Sequence, residues 1–112
     1  VPMISSAVFH DATIARLSVE GSVIHIEVNE FALSPVEMCP PTRISIRNCR
    51  EILRDGLLAE GIVPESEDGE IYRIEEDAVG ITLMVIWFKY KPRTESLVAY
   101  KFVGADLDVT AL

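Results

Sequence analysis

Gly80-Ile81-Thr82-Leu83-Met84-Val85-Ile86-Trp87-Phe88-Lys89-Tyr90 is the stretch that decides the fold. Apolar letters run almost unbroken from Ile81 to Phe88. Ile, Val, Trp, Phe and Tyr all favour a pleated strand. The run is too short to cross a bilayer as a helix, which needs about 20 apolar residues. An unbroken apolar run also fits a buried helix, and here the β-branched and aromatic content decides for a strand. The stretch is expected to be a central strand, covered on both faces or nearly so.

Working outward, Lys91-Pro92-Arg93-Thr94-Glu95 reads as a polar turn in which Pro92 stops the ladder. Ser96 to Val103 is the last long strand, with Val98, Tyr100 and Phe102 or their neighbours inward. Gly104 marks a break, after which Ala105, Leu107 and Val109 share one face. On the other side, Asp77 to Gly80 turns the chain, and Glu70 to Glu76 is a strand with Ile71 and Ile74 inward. Leu57 to Gly69 reads as a connection.

Further upstream, Ile44 and Ile46 alternate with Arg43, Ser45 and Arg47 until Asn48-Cys49 breaks the period. Residues 50–56 read as a bulged continuation of that strand in preference to a short helix closed by Gly56. Three prolines between Ala32 and Thr42 (Pro35, Pro40, Pro41) mark a loop. Val23 to Phe31 is a strand in which Ile24, Ile26 and Val28 face inward and His25, Glu27 and Asn29 form a wet face. Thr13 to Val19 is the first strand. Its alternation slips between Ile14 and Leu17, as a bulge would cause, and Gly21 turns the chain after it. Val1 to Ser6 is a leader, expected to fray.

The pattern recurs. Asp11-Ala12-Thr13-Ile14-Ala15-Arg16-Leu17 aligns with Asp68-Gly69-Glu70-Ile71-Tyr72-Arg73-Ile74. A Gly-containing turn, a long strand, a Pro-containing loop and a broken strand follow each. The expectation is one all-β domain over 1–112, with repeat halves 8–56 and 65–112. It would hold about six or seven antiparallel strands, as two three-stranded meanders forming a small sandwich, a half-barrel or a curved sheet.

The chain has 112 residues, enough to bury a core without metal or disulfide staples. Its net charge is −8, which repels nucleic-acid phosphates, so no nucleic-acid partner is expected. No apolar run reaches membrane-spanning length, so no membrane is expected. The chain opens at Val1, which leaves an upstream segment open, and a cytoplasmic location is the default expectation. Seven carboxylates (Glu65, Glu67, Asp68, Glu70, Glu75, Glu76, Asp77) crowd one stretch that holds a single cation, Arg73. That stretch is either a solvated loop or a surface for a basic partner. Together with the aromatic anchors Trp87 and Tyr90 it forms the candidate partner surface.

Catalytic signals are thin. His10-Asp11 resembles a base held by a carboxylate, but adjacent strand residues point to opposite faces. No nucleophile motif accompanies them. With His25 they define an alternative, a small-molecule binder or hydrolase with its site between the two meanders. Cys39 and Cys49 lack metal-ligand spacing and read as reduced, partly buried thiols. No cofactor or metal is expected. Arg43, Arg47, Arg50 and Arg54 form a basic cluster, expected to pair with the chain's own carboxylates.

Phe9-His10-Asp11-Ala12-Thr13-Ile14, Asp68-Gly69-Glu70-Ile71, Trp87 and Tyr100-Lys101-Phe102-Val103-Gly104 carry a resemblance that spans nearly the whole chain. In them it resembles a loose group of small bacterial all-β domains, some proposed as immunity proteins beside polymorphic toxin genes. The resemblance implies a non-catalytic protein that binds a partner, and it transfers no functional residues. Open sheet edges make a homodimer through an edge strand a further expectation.

Overall fold

The computed structural model describes residues 9, 11–34 and 36–112. The leader 1–6 and His10 lie outside the described residues. Strands β1 Ile14–Glu20, β2 Val23–Val28, β3 Phe31–Ser34, β4 Glu37–Cys39, β5 Thr42–Arg47 and β6 Glu51–Arg54 form the first half. They are followed by β7 Leu57–Ala59, β8 Asp68–Glu76, β9 Gly80–Tyr90, β10 Arg93–Val103 and β11 Asp106–Ala111. No described residue is helical. The class is all-β and antiparallel, with eleven described strands instead of six or seven.

The excess has three sources. Phe31–Ser34 and Glu37–Cys39 pair as a two-stranded ribbon where a proline loop was expected. Pro40 and Pro41 still stay outside any ladder, between β4 and β5. Leu57–Ala59 pairs with β6, although this stretch read as a connection. The broken strands also divide: β5 and β6 belong to different sheets, as do β10 and β11. Residues 50–56 contain a strand, not a helix. The polar turn after β9 is only Lys91-Pro92, a cis peptide, and Arg93 to Glu95 already pair with β9.

Sheet 1 has the order β1-β2-β5-β11, and sheet 2 the order β7-β6-β10-β9-β8. Sheet 2 without β7 repeats the plan of sheet 1. In each sheet a meander of one half is completed by the tail of the other half, β11 in sheet 1 and β6 in sheet 2. The reason is a single bent ribbon. β5 and β11 pair from Thr42↔Ala111 to Arg47↔Asp106. β6 and β10 then resume from Glu51↔Val103 to Arg54↔Tyr100. The bend falls where Asn48 (φ 60°) and Gly104 (φ 73°) adopt left-handed backbone, a conformation that glycine and asparagine tolerate best. A second corner joins the sheets at the bridge Thr13↔Glu70, where the Asp11 N–H donates to Ile71 O (2.8 Å).

The inner faces share one core. Ile24, Ile26, Ile44 and Ile46 from sheet 1 meet Ile71, Ile74, Ile81, Leu83, Val85 and Phe102 from sheet 2. The bulges fall between Ile14 and Arg16 on β1 and between Ile71 and Arg73 on β8. Each bulge lets apolar residues on both sides of the slip face inward. Trp87 is buried against Gly69, where a Cβ would stand 2.7 Å from the indole ring. Close approach of the indole to the backbone requires glycine at this position.

A polar chain runs from this core to the surface. The Trp87 Nε1–H donates to the Tyr100 hydroxyl (3.1 Å). The Tyr100 O–H donates to Glu65, and Arg54 holds the same carboxylate through Nε (2.9 Å). Arg54 beside it keeps the Glu65 carboxyl below the usual range. Burial, then the bond to Glu65, raises the Tyr100 phenol. Together these bonds fasten the stretch after β7 to sheet 2, since a buried polar group left without its partner is costly.

Candidate interaction face

The two sheets differ on their outer faces. Outward on sheet 1, the register places Ser18, His25, Ser45 and Asp108 in one row and Arg16, Glu27, Arg43 and Thr110 in the next. Every one of these side chains is polar. Arg43 stands 3.6 Å from Glu27, and Arg47 4.0 Å from Asp108. Arg54 is held by Glu65, so three of the four clustered arginines pair within the chain, as expected. Arg50 lies over Gly104.

Outward on sheet 2, the rows are apolar at the centre. Met84 pairs with Ala99, and Ile86 with Leu97. Leu53 and Leu58 extend the patch toward β7. Met84, Ile86 and Ala99 are half-buried and Leu97 is 50% exposed. An antiparallel sheet with one solvated face normally alternates apolar and polar residues, and an unbroken apolar strand signals two covered faces. Strand β9 therefore corrects the sequence reading. Its inward face (Ile81, Leu83, Val85, Trp87) is fully covered, but Thr82, Met84 and Ile86 are covered only in part.

Charges rim this patch. Lys101 bonds Thr82 Oγ1 (3.0 Å) and Asp77 (3.0 Å) at one end. Asp77 also accepts from the N–H groups of Val79 and Gly80, and the Lys101 ammonium and these bonds lower its carboxyl. Arg73 pairs with Glu75 (3.3 Å) along the β8 side. At the other end Arg93 lies over the Phe88 ring (5.8 Å) and reaches Glu95 (3.4 Å). Asp68 accepts from the Tyr90 hydroxyl (2.8 Å), which raises the phenol.

The candidate surface residues thus divide. Asp68, Glu70, Glu75 and Tyr90 share the outer face of sheet 2, with Asp77 at its end. Glu67 lies beside it, accepting from the Tyr90 N–H (3.3 Å). Glu65 belongs to the core-to-surface chain. Glu76 pairs with the inward Ile81 and accepts from the Leu107 N–H (3.3 Å). Trp87 is 3% exposed and is no part of this surface, because its indole fills the core over Gly69. Sequence reasoning passed over Met84, Ile86, Leu97 and Ala99. The available signal was the apolar run itself, in which the residues alternating with Leu83, Val85 and Trp87 are also apolar.

The alternative site is not assembled among the described residues. His25 is buried, not part of a wet face, and it sits mid-sheet. Its Nε2–H donates to Glu20 (3.2 Å), while Nδ1 meets Ser45 Oγ at 2.9 Å. This Ser-His-Glu alignment has the bonds of a nucleophilic relay. Ser45 is only 3% exposed, however, and lies within a strand paired on both sides. Acyl chemistry needs free backbone donors at the reacting oxygen, and a paired strand commits its N–H groups to the ladder. Asp11 lies on the surface at the corner with β8. None of the three described clefts, of about 480, 400 and 100 Å³, is lined by His25 or Asp11. Cys39 and Cys49 are free and half-buried, and burial raises the Cys49 thiol. No group of three or more metal-ligating side chains occurs among the described residues. No described helix is long and apolar enough to cross a membrane.

No family model, no curated protein and no solved structure matches the chain.

Proposed function

We propose that the protein is a non-catalytic interaction domain of the immunity type, which binds a basic protein partner on the outer face of sheet 2. The observation that carries this reading is the apolar centre formed by Met84, Ile86, Leu97 and Ala99, with nothing from the described chain covering it fully. Contiguous exposed apolar surface rimmed by polar groups marks a docking site more often than chance exposure. The rim and the net charge of −8 favour a basic partner through steering and complementarity. Resemblance to proposed immunity proteins points the same way.

The test is direct. The protein encoded beside this gene is co-purified with the chain, and affinity is measured by calorimetry. Ile86→Glu places a charge at the centre of the face and is expected to weaken binding at least 100-fold while the fold persists. Unchanged affinity in that variant overturns the reading. Light scattering on the free chain separates it from a homodimer through an edge strand, the competing outcome.

A further inference from the structure

Resting on that reading, we infer that the partner presents an apolar segment flanked by a guanidinium or ammonium group, and that this cation seats beside Glu70.

The charges along the rim are unevenly matched. Lys101 serves Asp77, Arg73 serves Glu75, and the Tyr90 hydroxyl serves Asp68. Glu70 pairs in register with Ile86, so its carboxylate stands at the edge of the apolar centre. It is half-buried, and its side chain makes no hydrogen bond or ion pair with the described residues. The charged groups facing it are Asp11, Asp68, Glu95 and Arg93. Three of the four are carboxylates. The one cation is already engaged, reaching Glu95 (3.4 Å) and lying over Phe88.

Burial first, then the neighbouring Asp11 carboxylate, pushes the Glu70 carboxyl up. A carboxylate that is partly desolvated and surrounded by like charges is relieved by an incoming cation. An incoming anion would add to the repulsion. The opposite end of the face has its charges matched internally and offers no such gain. The imbalance sets the orientation of the partner: apolar side chains over Ile86 and Leu97, cation toward Asp68, Glu70 and Glu95. A second copy of this chain, itself at −8, is disfavoured as the occupant.

Octylguanidinium carries both required groups and serves as the probe, with octyl sulfate as its counterpart of opposite charge. The intact protein is titrated at pH 7 and followed by NMR of the Ile and Leu methyl groups and the Glu side-chain carboxyls. Octylguanidinium is expected to shift Ile86, Leu97 and Glu70. Glu70→Gln is expected to weaken it at least tenfold, and Glu75→Gln, at a carboxylate already paired with Arg73, less than threefold. Octyl sulfate is expected to bind at least tenfold more weakly. Equal binding of the two amphiphiles, or equal loss in the two variants, overturns the cation assignment. The broader reading falls separately, if Ile86→Glu leaves the complex with the neighbouring gene product intact.

Discussion

Sheet 1 and sheet 2 are built on the same strand order, yet their outer faces have opposite character. On sheet 1 the row Arg16, Glu27, Arg43 and Thr110 runs across four strands without an apolar member. At the corresponding place on sheet 2, Arg73, Met84 and Ala99 follow one another, with Ile86 and Leu97 in the next row. Both sheets need one apolar face, because they share one core. Only sheet 2 has two. The difference teaches that the second apolar face is not required by folding, since sheet 1 folds on the same plan without one.

The long hairpins show the same divergence. β9 and β10 pair continuously over eleven residues each. In the first half the matching hairpin is interrupted. β2 and β5 pair from Ile24↔Ile46 to Val28↔Thr42, and the ribbon β3–β4 resumes beyond Asn29-Glu30 and Pro40-Pro41. Paired prolines cannot donate to a ladder, so the ribbon separates there. The unbroken second hairpin gives sheet 2 the length that carries its apolar rows.

The comparison breaks most forcefully at Trp87 and Leu97. Trp87→Ala empties the core over Gly69 and strips the Tyr100 hydroxyl of a donor, and is expected to cost about 3–5 kcal/mol. Leu97→Ala, on the outer face of the same sheet, is expected to cost less than about 1 kcal/mol. Chemical denaturation compares the two. Similar losses would mean that the outer face is part of the folding core and is not reserved for a partner.

Next in size is Gly69→Ala. Its Cβ would stand 2.7 Å from the indole, so the ring or β8 must move. A loss of about 1–3 kcal/mol is expected, with a changed tryptophan fluorescence maximum.

The link between Glu65 and Tyr100 gives a pH dependence. Glu65 has a lowered folded-state pKa, so its stabilisation is present above the ordinary carboxylate range and is lost as pH falls through its own lower value. Tyr100, with a raised pKa, contributes stability that is present below the unfolded phenol value near pH 10 and lost as pH rises beyond it. Glu65→Gln is expected to cost about 1–2 kcal/mol at pH 7 and to flatten the acid limb of the stability profile. Urea midpoints measured between pH 3 and pH 7 check this.

The smallest effect has the opposite sign. Glu70 has a raised folded-state pKa, so ionising it costs stability as pH rises through the carboxylate range. Glu70→Gln is expected to stabilise the free protein by about 0.5 kcal/mol at pH 7, after solvent screening, and to have no effect near pH 3. A stabilising variant that weakens binding would mark Glu70 as a residue retained for function at a cost in stability.

Much of the fold was legible. Ile24, Ile26, Ile44 and Ile46 face inward as their alternation requires; Ile71 and Ile74 both do so because a bulge lies between them, and on β10 it is Val98, Tyr100 and Phe102, not their neighbours, that turn inward. The slip at Ile14 is a bulge, and Asn48-Cys49 and Gly104 break their strands. Prolines misled between Ala32 and Thr42, because a short ribbon fits between proline positions that a longer strand cannot cross. The candidate site was legible in part. The acidic stretch marked the right strand, β8, but it could not show that Glu65 and Glu76 are bonded internally while Glu70 makes no side-chain bond among the described residues.

What the sequence determined by itself was local: which residues are extended, and which alternate residues turn inward, because side-chain direction in a strand has period two. It also held the apolar run of β9, whose two faces are both apolar. Only the tertiary structure decided that one of those faces meets the core and the other is left half-open. That outcome depends on which strands lie beside β9 and what packs over them. Those contacts are made by residues distant in the chain, and no local period encodes them.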